Sequence, residues 1–127
     1  MFMILLIEDD EFTAGLLMKL LAPAGVRHAR NGSEGLEEFQ SGQFDLVITD
    51  LVMPQMDGLA TIVGIRKLDR SVPIIAMTSG GSLGAKGDLL ILAKKLGANA
   101  TLMKPVDRER LMEKVRECLS TASLKLC

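Results

Sequence analysis

Five short apolar runs, each followed by a longer amphipathic stretch, constrain the fold of this chain more than any other feature of its sequence. The runs are Met3–Ile7, Val26–Arg30, Phe44–Thr49, Val72–Met77 and Ala100–Met103. Those at 3–7, 44–49 and 72–77 are almost continuously apolar, as strands covered on both faces must be. The stretches between them repeat at helical spacing. Phe12–Leu21 carries Leu16, Leu17, Leu20 and Leu21, and Ser33–Gln40 places Leu36 and Phe39 on one side. Leu59–Leu68 presents Ile62, Ile65 and Leu68, while Asp88–Leu96 presents Leu89, Leu92, Ala93 and Leu96. Arg108–Leu119 offers Leu111, Val115 and Cys118, with Asp107 as its N-cap. Gly25 and Gly97 stand where helices are expected to stop. Strict strand–helix alternation predicts an α/β fold, a doubly wound parallel sheet with helices on both faces. A chain of 127 residues suits one such domain.

Composition narrows the function by exclusion. The formal net charge of −1 gives no basic face for a nucleic-acid backbone, and without Trp or Tyr there is no base-stacking platform. No direct nucleic-acid partner is therefore expected. The two cysteines, Cys118 and Cys127, are read as a helix-face thiol and a tail thiol in a reducing compartment. The N-terminal apolar run is short, lacks a basic flank and runs straight into acids, so neither a signal peptide nor a membrane span is expected. The expected location is the cytoplasm. His28, the single histidine, is read as a surface or boundary residue remote from the acidic edge, and the eight methionines as core fillers.

A doubly wound sheet places its ligand site at the carboxyl ends of its strands. The first strand ends at Glu8-Asp9-Asp10, the third at Asp50, the fourth at Thr78-Ser79 and the fifth at Lys104-Pro105. Three carboxylates, Glu8, Asp9 and Asp50, brought to one edge repel one another unless a cation intervenes. Oxygen ligands with no His or Cys among them suit Mg²⁺, or Mn²⁺. Lys104 adds an ammonium and Thr78 a hydroxyl, a set suited to a phosphoryl group, whose transfer depends on positioning and charge neutralisation. Asp50, at the tip of a central strand, can then be a nucleophile that forms an acyl phosphate. Asp10 and Glu11 fit the acidic start of the first helix instead. Asp57, beside Gly58, reads as a turn residue and helix cap rather than a metal ligand.

The segments "ILLIEDD", "DLVITDLVMPQMDGL", "IIAMTSG" and "LMKP" occur in this order, and together they resemble the response-regulator receiver domain of two-component signalling. The resemblance covers about residues 2–120. It implies a (βα)5 flavodoxin-like fold with strand order 2-1-3-4-5, in a receiver domain at 1–122 followed by a short tail at 123–127. It further implies that Asp50 takes a phosphoryl group from a histidine kinase. Asp9 would be a direct Mg²⁺ ligand, Glu8 would act mostly through a water, and the Val52 backbone carbonyl would complete the protein's share. Thr78 and Lys104 would hold the phosphoryl oxygens, and the Lys104–Pro105 peptide would be cis. Met53-Pro54 and Asp57-Gly58 would shape the loop after Asp50.

Two departures from the family pattern bear on the switch. Thr101 occupies the position where the family usually carries an aromatic ring. The stretch "TSGGSLGAKGDLL", from Thr78 onward, is glycine-rich and longer than usual. Ser79, Gly80, Gly81, Gly84 and Gly87 are accordingly expected to form a mobile switch loop that carries the output in place of position 101. Neither Val52 nor Gly80 can orient a water, so self-catalysed phosphotransfer with slow dephosphorylation is expected, not an enzyme with turnover. The expected function is a single-domain, chemotaxis-regulator-like switch, monomeric or weakly dimeric, that controls a partner protein through the exposed side of its fourth and fifth helices. The alternatives are a relay passing phosphate to a phosphotransfer histidine and an aspartyl-phosphate hydrolase, the second disfavoured because "EDDE" lacks the required Asp-x-Asp phasing.

Overall fold

The computed structural model describes residues 2–53, 57–79 and 85–126, with side chains described for these except 85–88 and 120–126. Ten elements alternate as expected: β1 (Met3–Ile7), α1 (Glu11–Leu21), β2 (Gly25–Ala29), α2 (Gly32–Ser41), β3 (Leu46–Asp50), α3 (Gly58–Leu68), β4 (Ile74–Ser79), α4 (Ala85–Leu96), β5 (Ala100–Lys104) and α5 (Arg108–Leu126). All strand pairs are parallel, in the order β2-β1-β3-β4-β5. The expected doubly wound sheet of flavodoxin-like order is thus present.

The apolar runs sort into two cores because successive strand residues point to opposite faces. On β1, Ile4 and Leu6 pack with Leu17 and Leu21 of α1 and with Leu111 and Val115 of α5. Leu5 and Ile7 pack on the other face with Ile62 and Ile65 of α3 and Ala93 of α4. Both rows are essentially solvent-free. Each such side chain contributes roughly 1.5–3 kcal/mol of transfer free energy, which explains why these strands read as unbroken apolar runs.

Polar side chains begin the helices. Asp10 accepts from the Thr13 amide at 3.0 Å, Asn31 from Glu34 at 2.8 Å, Asp57 from Ala60 at 2.9 Å and Asp107 from Arg110 at 2.8 Å. These bonds satisfy amides at the helix starts that have no intrahelical partner. Glu11 pairs with Arg30 at the surface. Asp10 and Glu11 therefore belong to a helix start, as expected.

Several boundaries differ from the expectation. Gly25 opens β2 instead of stopping α1, whose C-cap is Ala22 ahead of a cis Ala22–Pro23 peptide. Gly97 does end α4, with φ +131°. Phe44 stands outside β3 and stacks on Phe39, with ring centroids 6.2 Å apart. The ladder of β4 starts after Pro73, which has no N–H to give, and runs on through Thr78 and Ser79. The helix α4 begins at Ala85, so Gly87 is helical, and α5 continues to Leu126 rather than ending at Leu119. Leu16, Leu68 and Leu92 are exposed although their spacing put them on apolar faces. On α1 the sheet takes Ala14, Leu17 and Leu21, and Leu16 lies one residue's rotation away from that stripe.

Candidate functional site

Parallel pairing brings every strand's carboxyl end to one edge, and the residues expected there are found there. Face parity adds to the grouping. Glu8 continues the row of Ile4 and Leu6, Asp50 the row of Leu46 and Ile48, and Lys104 the row of Ala100 and Leu102, all on the face covered by α1 and α5. Thr78 continues the row of Ile74 and Ala76 on the opposite face.

Glu8, Asp9 and Asp50 each offer a carboxylate oxygen, and these atoms lie within 4.8 Å of one another. Glu8 is fully buried and Asp50 nearly so, whereas Asp9 is exposed. The Lys104 ammonium sits between the two buried acids, 2.5 Å from Glu8 Oε1 and 3.2 Å from Asp50 Oδ2. The other Glu8 oxygen, Oε2, accepts from the Asp10 amide at 3.2 Å. Burial raises the Glu8 pKa above the ordinary carboxylate value; the Lys104 hydrogen bond opposes that rise and the neighbouring Asp50 charge adds to it. For Lys104, burial disfavours the charged form, but the hydrogen bond to Glu8 and the charges of Asp50 and Glu8 prevail and hold its pKa above the ordinary lysine value. The ammonium is thus a fixed cation in an otherwise acidic pocket.

Thr78 Oγ1 is the one buried side-chain polar atom among the described residues with no hydrogen-bond partner. Such a hydroxyl costs about 1–3 kcal/mol when left unsatisfied, so a buried orphan near the carboxyl end of β4 fits an arriving oxygen ligand. The donor set therefore fits a hard divalent cation beside a phosphoryl group: clustered carboxylate oxygens, no thiolate or imidazole ligand, and an unspent hydroxyl.

The loop after Asp50 is held by Gly58. Its amide donates to the Leu51 carbonyl at 3.0 Å. A Cβ at Gly58 would lie 2.2 Å from the Asp50 carbonyl oxygen and 2.6 Å from Leu51 Cα, so only glycine allows α3 to start there. Val52 is exposed beside the site, Met53 is buried, and Pro54 and Met56 lie outside the described residues. The Lys104–Pro105 peptide is cis, as expected. An apolar cleft of about 360 Å³, lined by Phe12, Leu16, Ser79, Lys104 and Pro105, opens beside the pocket. Thr101 is half-buried opposite Ala76 in the β4–β5 ladder. Ser79 lies at the exposed end of β4, and Gly80, Gly81 and Gly84 of the expected switch loop lie outside the described residues.

One functional neighbour escapes a linear reading. His28 is not remote from the acidic edge: its Nε2 lies 2.7 Å from the backbone carbonyl oxygen of Glu8. The signal that would have found it is the register, which sets His28 opposite Leu6 with Glu8 just beyond.

The fold and this edge define an α/β protein with a cluster of carboxylates at its strand ends that could hold a metal ion. The description "response regulator receiver domain" matches residues 4–116. Among curated proteins, the transcriptional regulatory protein ZraR of Klebsiella oxytoca is 35% identical over 95% of this chain, which spans 27% of that protein. The uncharacterized transcriptional regulatory protein YkoG of Bacillus subtilis is 33% identical over 91% of this chain and 50% of its own length. This chain therefore spans between about a quarter and a half of such relatives. Among solved structures, a response regulator receiver domain protein from Clostridium thermocellum superposes with a TM-score of 0.89 at 30% identity, covering 98% of both chains. A CheY-like receiver domain protein from Methanospirillum hungatei also gives 0.89, at 27% identity and 98% coverage of both. The chain belongs to the response regulator receiver domain family. No helix among the described residues is long and apolar enough to cross a membrane.

Proposed function

We propose that this chain is a phosphoacceptor switch: Asp50 takes a phosphoryl group from the phosphohistidine of a histidine kinase, and the acyl phosphate changes how the protein engages a downstream partner. One observation carries the reading. A nearly buried Asp50 is grouped with two further carboxylates and has a lysine ammonium 3.2 Å away, and the neighbouring strand β4 carries a buried hydroxyl without a partner near its carboxyl end. An Asp50 oxygen attacks the phosphorus; the new P–O bond forms as the P–N bond to the donor imidazole breaks, and that imidazole leaves with the electron pair. Lys104 offsets the charge of the transferring group, and the Thr78 hydroxyl donates to one of its oxygens. Asp9, Asp50 and the Val52 carbonyl would hold Mg²⁺ directly. Glu8 acts indirectly, because both of its oxygens are already engaged. When bound there, a divalent cation would neutralise the three carboxylates and the incoming phosphoryl charge.

The chemistry is self-catalysed transfer onto the protein's own carboxylate, without turnover of a separate substrate. Val52 presents no group that orients water toward the acyl phosphate, which favours slow hydrolysis. The test is incubation with acetyl phosphate and Mg²⁺, wild type against Asp50→Asn, read by intact mass and hydroxylamine lability. Wild type gains one labile phosphoryl group and Asp50→Asn gains none; a labile phosphate persisting in Asp50→Asn overturns the assignment.

A further inference from the structure

We infer that His28 is a positioning residue for the cation-binding carboxylates, acting through the backbone of Glu8. The inference deepens the phosphoacceptor reading and rests on it. A carbonyl oxygen can only accept, so the His28 nitrogen at 2.7 Å must be the protonated one, and Nε2–H donates to it. The Glu8 amide in turn donates to the Ala29 carbonyl at 3.0 Å. Both backbone polar groups of Glu8 are thereby tied to β2, one residue past the end of the β1 ladder. The first tie is an ordinary ladder bond. The second is made by a side chain, and it grips the peptide unit that joins Glu8 to Asp9.

That peptide is planar, so the direction of the Glu8 carbonyl also sets where the Asp9 amide and Cα lie. Asp9 is the exposed member of the carboxylate group and stands outside any strand or helix. It is the acid most in need of an external restraint to remain within 4.8 Å of the oxygens of Glu8 and Asp50. His28 is well placed to supply it. It lies on the edge strand, in the row of Val26, half-buried against the face that Glu8 also occupies. Groups that orient metal ligands from behind typically change affinity by about 10–100-fold when removed. Because this one acts through the backbone, the low end is expected.

The experiment uses the full chain and Mg²⁺ alone, titrated calorimetrically, with the melting temperature in EDTA measured in parallel. His28→Val keeps a good strand residue but removes the donor; His28→Gln keeps an N–H at a similar reach. Mg²⁺ affinity is expected to fall about tenfold in His28→Val, to be largely restored in His28→Gln, and to do so without a matching change in metal-free melting. If His28→Val does not fold, His28→Thr, whose hydroxyl is too short to span the gap, takes its place. Unchanged Mg²⁺ affinity in the donor-less variant, or a His28→Gln no better than it, overturns the inference. So does a loss of affinity that merely tracks a loss of metal-free stability. If those results appear while wild type still binds Mg²⁺ and Asp50 is still phosphorylated, only the role of His28 fails. Wild type that binds no Mg²⁺ and takes no phosphate overturns the phosphoacceptor reading, and this inference with it.

Discussion

The two ends of the same sheet carry similar polar residues and use them in opposite ways. At the amino end, every polar group named here is engaged by the backbone it stabilises. Asp45 accepts from the Met3 amide at 2.8 Å, and Asp69 Oδ1 accepts from the Ser71 amide, the Ser71 hydroxyl and the Val72 amide. Asn99 Oδ1 accepts from Ile74 N and from Arg66, whose guanidinium also reaches the Gly97 carbonyl. At the carboxyl end, two buried acids share one ammonium, a third acid faces solvent beside them, and a buried hydroxyl has no partner. Acidity alone does not distinguish the two ends; partnering does. Where the backbone already satisfies a side chain, the residue is structural. Where charges are crowded and a donor is left over, the fold retains free energy that a ligand can recover.

The largest expected effect comes from removing the cation at the crowded end. Lys104→Ala leaves Glu8 and Asp50 facing each other and should cost about 3 kcal/mol in EDTA, the low end for a broken buried pair because Lys104 is partly solvated. Glu8 has a raised pKa in the folded state, so its contribution to stability is present at acid pH and lost as the pH rises through that value. The deficit of Lys104→Ala should therefore shrink on acidification and on adding Mg²⁺, in urea melts across pH. A deficit independent of both would break the distinction between the two ends.

Next, Gly58→Ala should cost about 2–3 kcal/mol, since its new methyl meets backbone that cannot turn aside. It should impair Mg²⁺-dependent phosphorylation more than Gly15→Ala, where a Cβ meets nothing within 4 Å. Thr78→Val sharpens the comparison further. Removing an orphan hydroxyl should raise metal-free stability by up to about 1 kcal/mol while slowing phosphorylation by acetyl phosphate. Thr61→Val should lose about 1 kcal/mol, because the Thr61 hydroxyl is spent on the Asp57 carbonyl. Equal signs for the two threonines in thermal melts would undo the contrast.

The smallest effect belongs to the amino end. The Ser71 amide bond, opposed next by burial and then aided by the Ser71 hydroxyl bond, the Val72 amide bond and the Arg66 charge, holds the Asp69 carboxyl below the usual 3.8. A depressed pKa contributes stability above the ordinary value and loses it as the pH falls through the folded one. Asp69→Asn should therefore cost about 0.5–1 kcal/mol near neutrality, and that difference should fade below about pH 4. Urea midpoints at pH 7 and pH 3 check both the size and the direction.

Much of the site was legible because strand ends in a parallel sheet are predictable places. Glu8, Asp50, Thr78 and Lys104 each follow an apolar run, so locating the runs located the residues. Asp10, Asp57 and Asp107 were legible as caps because capping is local, decided within a few residues. The exposed Leu16, Leu68 and Leu92 were not, since helical spacing defines a stripe without saying how wide a stripe the sheet will cover. His28 was misread for a different reason. Its partner is a backbone carbonyl twenty residues away, and a carbonyl carries no mark in the sequence.

The order of residues by itself determined the alternation, the two-faced burial of the central strands and the identity of the acids at one edge, because each depends on short-range periodicity and on strand direction. Only the tertiary structure decided how those acids are shared. That Lys104 bridges Glu8 and Asp50, that Thr78 is left without a partner, and that His28 grips the Glu8–Asp9 peptide all depend on distances between strands far apart in the chain. Those distances are set by sheet register and face parity, which no local pattern encodes.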